Sequence, residues 1–243
     1  MPERFHLELR DSRMLAPSMR HLAFVRRDGQ ILNFIPGQFL QIHFQHEGQD
    51  TKRSYSLANH PQHEHLEIAV SYVENGAATA LLSALAHGEA ISASGPYGRF
   101  CLLDGDRNAR YLLIGTGTGI TPYRAMLPSI DAAIRTRGTR FVLLFGARNN
   151  AELLYREDFQ AMAERHPQHF QFLPCLSRAS DCDWPDARRG YVQEALASLA
   201  PDAAQDIAYL CGNPNMVDAC FNALKDHGLP VPAIRREKYV SSR

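Results

Sequence analysis

The first hundred residues carry apolar and polar positions in short alternating runs. LEIAVSYV, residues 66–73, sets Leu66, Ile68, Val70 and Tyr72 on one side against Glu67, Ala69 and Ser71 on the other. A period of two turns one row of side chains toward a core and leaves the other wet. HLAFV, FLQIHF, RSYSL and AISAS are further runs of this kind, separated by turn residues such as Asp28-Gly29, Pro36-Gly37 and Glu47-Gly48. This half predicts the wall of an antiparallel barrel, interrupted by one helix over about Ala78 to Ala86 that stops at Gly88.

After about residue 105 the pattern changes. YLLIG is a short, wholly apolar strand, followed by a helix from about Pro122. RFVLLFGA, a helix over about 151–165, the strand FQFLPCL, a helix over about 192–199, IAYLCG and a helix over about 214–227 complete the chain. Strands alternating with helices predict a parallel sheet covered on both faces. The polar segment LLDGDRNAR, 102–110, reads as the linker. The expected architecture is two domains: an antiparallel β-barrel over 1–104, then a doubly wound α/β domain over 105–243.

Composition narrows the function. The 243 residues balance 26 cationic against 26 anionic side chains, which argues against a nucleic-acid protein. The only lysines are Lys52, Lys225 and Lys238, so the cations are almost all arginine. Five cysteines without CxxC or C-x4-C-x2-C spacing predict neither a disulfide framework, nor zinc, nor an iron–sulfur cluster. His60, His63 and His65 lie close together in a polar turn, but no acid or cysteine stands at ligand spacing, so no metal is expected there. The start MPERFHLELR has no apolar leader core and no segment is long enough to span a bilayer, which predicts a soluble, cytoplasmic protein.

Three stretches carry chemistry. GTGTGITP, 115–122, joins an apolar strand to a helix. Its glycines permit close backbone approach, Thr121 is placed to cap the helix, Pro122 suits its first turn, and free amides there favour a phosphate. The spacing is G-x-G-x-G, so the stretch is either a dinucleotide loop of unusual kind or a glycine turn that packs helix on strand. LCGNP, 210–214, ends the last long apolar strand. Gly115 and Cys211 both fall at strand carboxyl ends, where open α/β sheets bind ligands; the alternative for Cys211 is a small core residue. In KRSYSLAN, 52–59, Arg53 is a fork suited to phosphate, Tyr55 a ring that stacks on a planar system, and Ser56 a hydrogen-bond partner for a ring nitrogen. That order suits a flavin laid along one strand; the alternative is an ordinary barrel strand with a snorkelling arginine.

RSYSLAN, GPYGRF, GTGTGITPYRAML, FGARNNAELLYREDF and CGNPNMV, in this order, resemble the ferredoxin–NADP reductase family over nearly the whole chain. The resemblance implies FAD in the barrel and NADPH in the α/β domain. Arg53, Tyr55 and Ser56 would be the flavin motif, with Ser56 beside the flavin N5. Gly76 and Thr79 would lie over the flavin pyrophosphate, and Gly95 and Gly98 would shape a turn. Gly115, Thr116, Gly117, Thr118 and Thr121 would hold the second nucleotide, and Cys211 would lie against the nicotinamide. Ser177, Arg178 and Arg148 would meet a 2'-phosphate, with Arg188 and Arg189 nearby, and Tyr191 would stack on adenine. The three aspartates of ASDCDWPDA stand against that phosphate if they point inward. Either Tyr239 or the last residues, Val240 to Arg243, would cover the flavin, with Glu237 relaying a proton.

The implied activity is electron transfer between NADPH and a separate acidic carrier, ferredoxin or flavodoxin, by a monomer. Two other readings are a reductase component of an oxygenase or a free-flavin reductase, and a non-catalytic nucleotide-binding subunit.

Overall fold

The computed structural model describes residues 3–61, 64–74, 76–178, 184 and 186–239. His63, the stretch 179–183 with Pro185, and the tail 240–243 lie outside them. The chain divides into two compact units, one running to Leu102 and including Thr121–Met126, the other holding Leu103–Ile120 and the chain from Leu127.

The first unit is one antiparallel sheet of β1 (Phe5–Ala16), β2 (Met19–Arg26), β3 (Phe39–His46), β4 (Gln49–Ser56), β5 (Leu66–Ser71) and β6 (Ala90–Tyr97), in the order β4-β3-β6-β1-β2-β5. Just beyond β4, Leu57 bridges to Ile68 of β5 and the Ala58 amide donates to the Glu67 carbonyl at 2.7 Å. The two outer strands thereby meet and the sheet closes as a barrel, which removes exposed edges. Its interior holds Leu7, Leu22, Phe24, Leu40, Ile42, Leu57 and Ile68, all without solvent exposure. The helix α1 (Ala77–Ala84) ends earlier than the sequence pattern predicts, because Leu85 is already extended.

β1 is a twelve-residue strand that the sequence pattern does not predict. Register shifts between Leu9 and Asp11 and between Met14 and Ala16 explain this. Each bulge adds a residue to one strand and flips the phase of the alternation. The buried row Phe5, Leu7, Leu9 therefore stops abruptly at a charged stretch.

The second unit is a wholly parallel sheet, β10-β9-β8-β7-β11-β12. Its strands are β7 (Arg110–Thr116), β8 (Arg140–Ala147), β9 (Phe170–Leu176), β10 (Arg188–Arg189), β11 (Asp206–Gly212) and β12 (Ile234–Lys238). The helices are α2 (Thr121–Arg137), whose residues up to Met126 count with the first unit, α3 (Arg156–Arg165), α4 (Val192–Leu196) and α5 (Pro214–Asp226). The chain winds outward from β7 through β8 and β9, then returns to place β11 on the other side of β7. The gap between β7 and β11 is thus the switch point of the sheet. β12 is a second unpredicted strand: IRREK is charged and buries Ile234 fully while its other residues keep contact with solvent. The expected helix over 151–165 is interrupted. Asn150–Glu152 forms a single tight turn, and Tyr155 has a left-handed φ of 54°, so α3 starts only at Arg156.

Ion pairs largely withdrawn from solvent pin both units. At the amino ends of β7 and β11, Asp206 has no solvent exposure and accepts from Arg110 Nε at 2.8 Å and Nη2 at 2.5 Å. In the first unit, Arg124 Nη1 donates to Glu67 Oε2 at 2.5 Å and to the Ala58 carbonyl at 2.9 Å. His21 Nε2 stands 3.7 Å from the same Glu67 oxygen. Burial, reinforced by Arg13 and Arg124 against the opposing pull of Glu67, lowers the His21 pKa from 6.5 to about 4.

Two stability outcomes follow. Arg110→Ala strands a buried carboxylate without its cation and is expected to cost about 3–5 kcal/mol, read as a lower urea midpoint for the second unit. His21 is neutral when folded and charged when unfolded below pH 6.5. Its contribution is complete above pH 6.5 and is lost as pH falls toward 4, to a total of about 3 kcal/mol. Urea midpoints measured at pH 7 and pH 4.5 are expected to draw closer together in His21→Gln than in the wild type.

Candidate active site

The flavin-type residues of the first unit sit at the end of β4 and the start of α1. Pairing of β3 with β4 sets Tyr55 opposite Leu40 and Arg53 opposite Ile42, so Arg53 and Tyr55 share the face on which those two core residues lie. Tyr55 packs against the barrel core, and burial raises its phenol pKa to about 12. It is therefore a neutral ring throughout the physiological range. Arg53 donates to the Lys52 carbonyl at 2.9 Å and has no carboxylate at ion-pair distance among the described residues. Ser56, the last residue of β4, is 5% exposed.

At α1 the Thr79 hydroxyl accepts from the Val73 amide at 3.2 Å, leaving its own proton to donate. Gly76 is the N-cap, and no side chain caps the first turn. A Cβ at Gly76 would lie 3.0 Å from both Thr79 Oγ1 and the Val73 carbonyl. A helix start with free amides, a hydroxyl donor and an arginine lacking a carboxylate partner fit the pyrophosphate of a flavin dinucleotide, and Tyr55 and Ser56 fit its ring.

The second unit builds its site at the switch point. Cys211 of β11 lies in register with Gly115 of β7, and after it the two loops press together. The Thr116 hydroxyl accepts from the Asn213 amide at 3.1 Å. Gly117–Ile120 forms a tight helical turn that carries Gly119 onto β11, where an added Cβ would stand 2.4 Å from the Cys211 carbonyl oxygen. Gly212, at φ 125°, also meets Thr116 closely: an added Cβ would stand 2.7 Å from its carbonyl and hydroxyl oxygens. Both glycines answer to backbone contact. Asn213 then caps α5, accepting from Asn215 N at 2.9 Å and Met216 N at 3.4 Å, with Pro214 in the first turn. CGNP is thus a strand end, a hinge, a cap and a helix start in four residues.

Thr121 is not the cap that its position suggests. The N-cap of α2 is Ile120, still in helical conformation because the preceding tight turn feeds straight into the helix. Thr121 is 2% exposed, and among the described residues its hydroxyl is the one buried side-chain polar atom left without a hydrogen-bond partner. An orphaned hydroxyl beside a glycine turn at a helix start fits an anionic ligand.

Cys211 is completely buried, and burial first, with the Glu237 charge second, pushes its thiol well above the ordinary range. It is a neutral thiol, not a nucleophile. Glu237 is in register with Cys211 on β12. Tyr239 hydrogen-bonds to the Cys211 thiol through its side chain, and its amide donates to the Gly212 carbonyl at 2.8 Å.

Ser177, Arg178, Arg148 and Tyr191 gather at the carboxyl ends of β8, β9 and β10. The Ser177 amide donates to the Ala147 carbonyl at 3.0 Å and the Arg178 amide to the Arg148 carbonyl at 2.9 Å. The Gly190 amide donates to the Leu176 carbonyl at 3.0 Å, which brings exposed Tyr191 to the same end of the sheet. Thr118 belongs to the glycine turn at the head of β7. The sequence reading missed Glu152, which holds Arg148 by a bidentate contact.

Residues 6–101 match the oxidoreductase FAD-binding domain, and residues 113–221 match the oxidoreductase NAD-binding domain. Ferredoxin–NADP reductase B of Sorangium cellulosum is 33% identical over 98% of each chain. This chain belongs to the ferredoxin–NADP reductase family. It is an oxidoreductase that takes FAD and a nicotinamide nucleotide and transfers electrons. The reductase component DmpP of a Pseudomonas phenol 2-monooxygenase is 36% identical over 86% of this chain, which spans 58% of that protein. The Amycolatopsis cytochrome P450 reductase GcoB superposes with a TM-score of 0.86 at 31% identity, covering 97% of this chain and 69% of that one. A ferredoxin NADP+ reductase from Neisseria gonorrhoeae shares the fold, with a TM-score of 0.85 at 21% identity over 98% of this chain and 99% of the other. Among the described residues no helix is long and apolar enough to cross a membrane.

Gly119→Ala forces the ends of β7 and β11 apart at a cost of about 1–3 kcal/mol. The expected outcome is at least a tenfold rise in the KM for the nicotinamide nucleotide with flavin content unchanged, measured by steady-state dye reduction and by absorbance of the purified protein.

Proposed function

We propose that this protein moves electrons between NADPH and a small one-electron carrier protein, ferredoxin or flavodoxin, with residues 1–104 holding FAD and 105–243 holding the nucleotide. The observation that carries this reading is the likeness to the Sorangium ferredoxin–NADP reductase, which runs over 98% of both chains. The flavin, when bound, accepts two electrons together and releases them singly, which is the chemistry that joins a nicotinamide to such a carrier.

The chain's own groups then divide the work. Arg53, Gly76 and Thr79 hold the flavin pyrophosphate, Tyr55 packs its neutral ring on the flavin, and Ser56 hydrogen-bonds the flavin N5. The amides of Gly115, Thr116, Gly117 and Thr118, with the Thr121 hydroxyl, take the nucleotide phosphates. Cys211 works as a small, uncharged wall against the nicotinamide, and its burial as a neutral thiol supports that role. Tyr239 holds that wall in place, and Glu237, which pairs with Cys211 from β12, is the proton carrier. Ser177 and Arg178 receive the 2'-phosphate, Arg148 lies beside them, and Tyr191 stacks on adenine.

A second reading, a reductase component serving an oxygenase, is favoured by the 36% identity to the phenol 2-monooxygenase reductase. Anaerobic titration of the flavin absorbance with NADPH and NADH, followed by steady-state transfer to ferredoxin, flavodoxin and free FMN, separates the two. Bleaching at lower NADPH than NADH, with turnover on ferredoxin or flavodoxin, is the expected result. Bleaching by NADH alone, or fast reduction of free FMN with none of ferredoxin, overturns it.

A further inference from the structure

Arg148 is a further basic group beside Ser177 and Arg178, and its charge is already paired. Glu152 accepts from Arg148 Nε at 2.9 Å and meets Nη2 at 2.6 Å. The Nε–Nη2 edge is one of the forks through which a guanidinium grips a phosphate with two parallel hydrogen bonds. Here a carboxylate of the same chain fills it. The carboxylate is also held in place. Glu152 is 9% exposed, its amide donates to the Asn149 carbonyl at 3.2 Å, and its Oε2 accepts from the Arg148 amide at 3.4 Å. The Asn149 side chain accepts from the Ala151 amide at 3.0 Å and fixes the turn that presents it. Clearing the fork would also cost Glu152 its bond to the Arg148 amide.

We propose that Glu152 is the residue that sets the nucleotide preference, by neutralising Arg148 and holding down the advantage of NADPH over NADH. A 2'-phosphate entering here meets a pair of zero net charge beside Arg178, which has no carboxylate at ion-pair distance among the described residues and whose backbone adjoins that of Arg148. Of the two nucleotides only NADPH brings the extra dianion beside the Glu152 carboxylate. The cost of that repulsion therefore falls on one of them alone.

This rests on the reading of Arg148, Ser177 and Arg178 as the 2'-phosphate site, and the test separates the two. The quantity measured is the ratio of kcat/KM for NADPH to that for NADH, with the FAD-loaded protein and a dye acceptor. Glu152→Gln keeps the size of the side chain, removes its charge and turns one acceptor oxygen into an amide donor. It is expected to raise the ratio at least fivefold. Arg148→Gln in the wild-type background is expected to change the ratio less than twofold, because a neutralised cation contributes little, and in the Glu152→Gln background to abolish the gain. Arg178→Gln tests the site itself and is expected to lower the ratio at least fivefold. If Arg178→Gln lowers the ratio while Glu152→Gln leaves it unchanged or lowers it, the phosphate site stands and the role of Glu152 is overturned. If Arg178→Gln has no effect either, the site reading fails and takes the inference with it. Should Glu152→Gln fail to fold, a large fall with Arg148→Gln alone overturns the proposal.

Discussion

Two backbones have to touch at the carboxyl ends of β7 and β11, and the second unit is organised around that contact. A parallel sheet wound outward in both directions from one strand leaves a gap where the directions part, and ligands enter there. Filling the gap with side chains would destroy the site. Leaving it open would expose strand ends with unpaired amides. The chain resolves this by pressing Gly119 onto Cys211 and Gly212 onto Thr116, so that the loops support each other through main chain. The glycine turn then leads straight into a seventeen-residue helix, whose dipole favours an anion at that end. The orphaned Thr121 hydroxyl belongs to the same economy: a polar atom kept buried and unsatisfied is tolerated where a ligand supplies the partner.

Arginine does two kinds of work in this chain, and carboxylate partners tell them apart. Arg110 with Asp206, Arg124 with Glu67 and Arg235 with Asp106 are structural pairs, each at least mostly withdrawn from solvent. Each joins segments far apart in sequence, where a planar fork gives direction as well as charge. Among the described residues, Arg53 and Arg178 have no carboxylate at ion-pair distance, and both lie where the sequence pattern puts a phosphate. Arg148 falls between the classes: it sits with the second group but is bonded like the first.

The legible parts of this molecule are those where many residues say the same thing. β8 and β9 appear with the bounds that their apolar runs imply, because a strand buried on both faces needs an unbroken run. The order of RSYS, GTGTG and CGNP shows the family because each stretch is tied to backbone shape or to one contact, with few substitutes. β1 was hidden by two bulges that reset its alternation, and β12 by charge: at the sheet's edge only Ile234 needs full burial. Thr121 was misread as a cap because the tight turn before it, which supplies a helical Ile120, leaves no apolar period to read.

Glu152 was illegible for a different reason. Spacing of four residues between Arg148 and Glu152 ordinarily signals a pair on an exposed helix face, worth a few tenths of a kcal/mol and of no consequence to function. Here the intervening residues form a turn that starts with Asn149 extended, and the pair lies at the head of β8 instead of on a helix. The same spacing thus carries a different meaning once the backbone is known. Fold and cofactor class rest on dozens of concordant positions, and no single one can reverse them. The choice between two nucleotides that differ by one phosphate rests on the net charge of a few groups. One buried carboxylate is enough to move it, and its presence in the sequence says nothing until the turn that aims it has been seen.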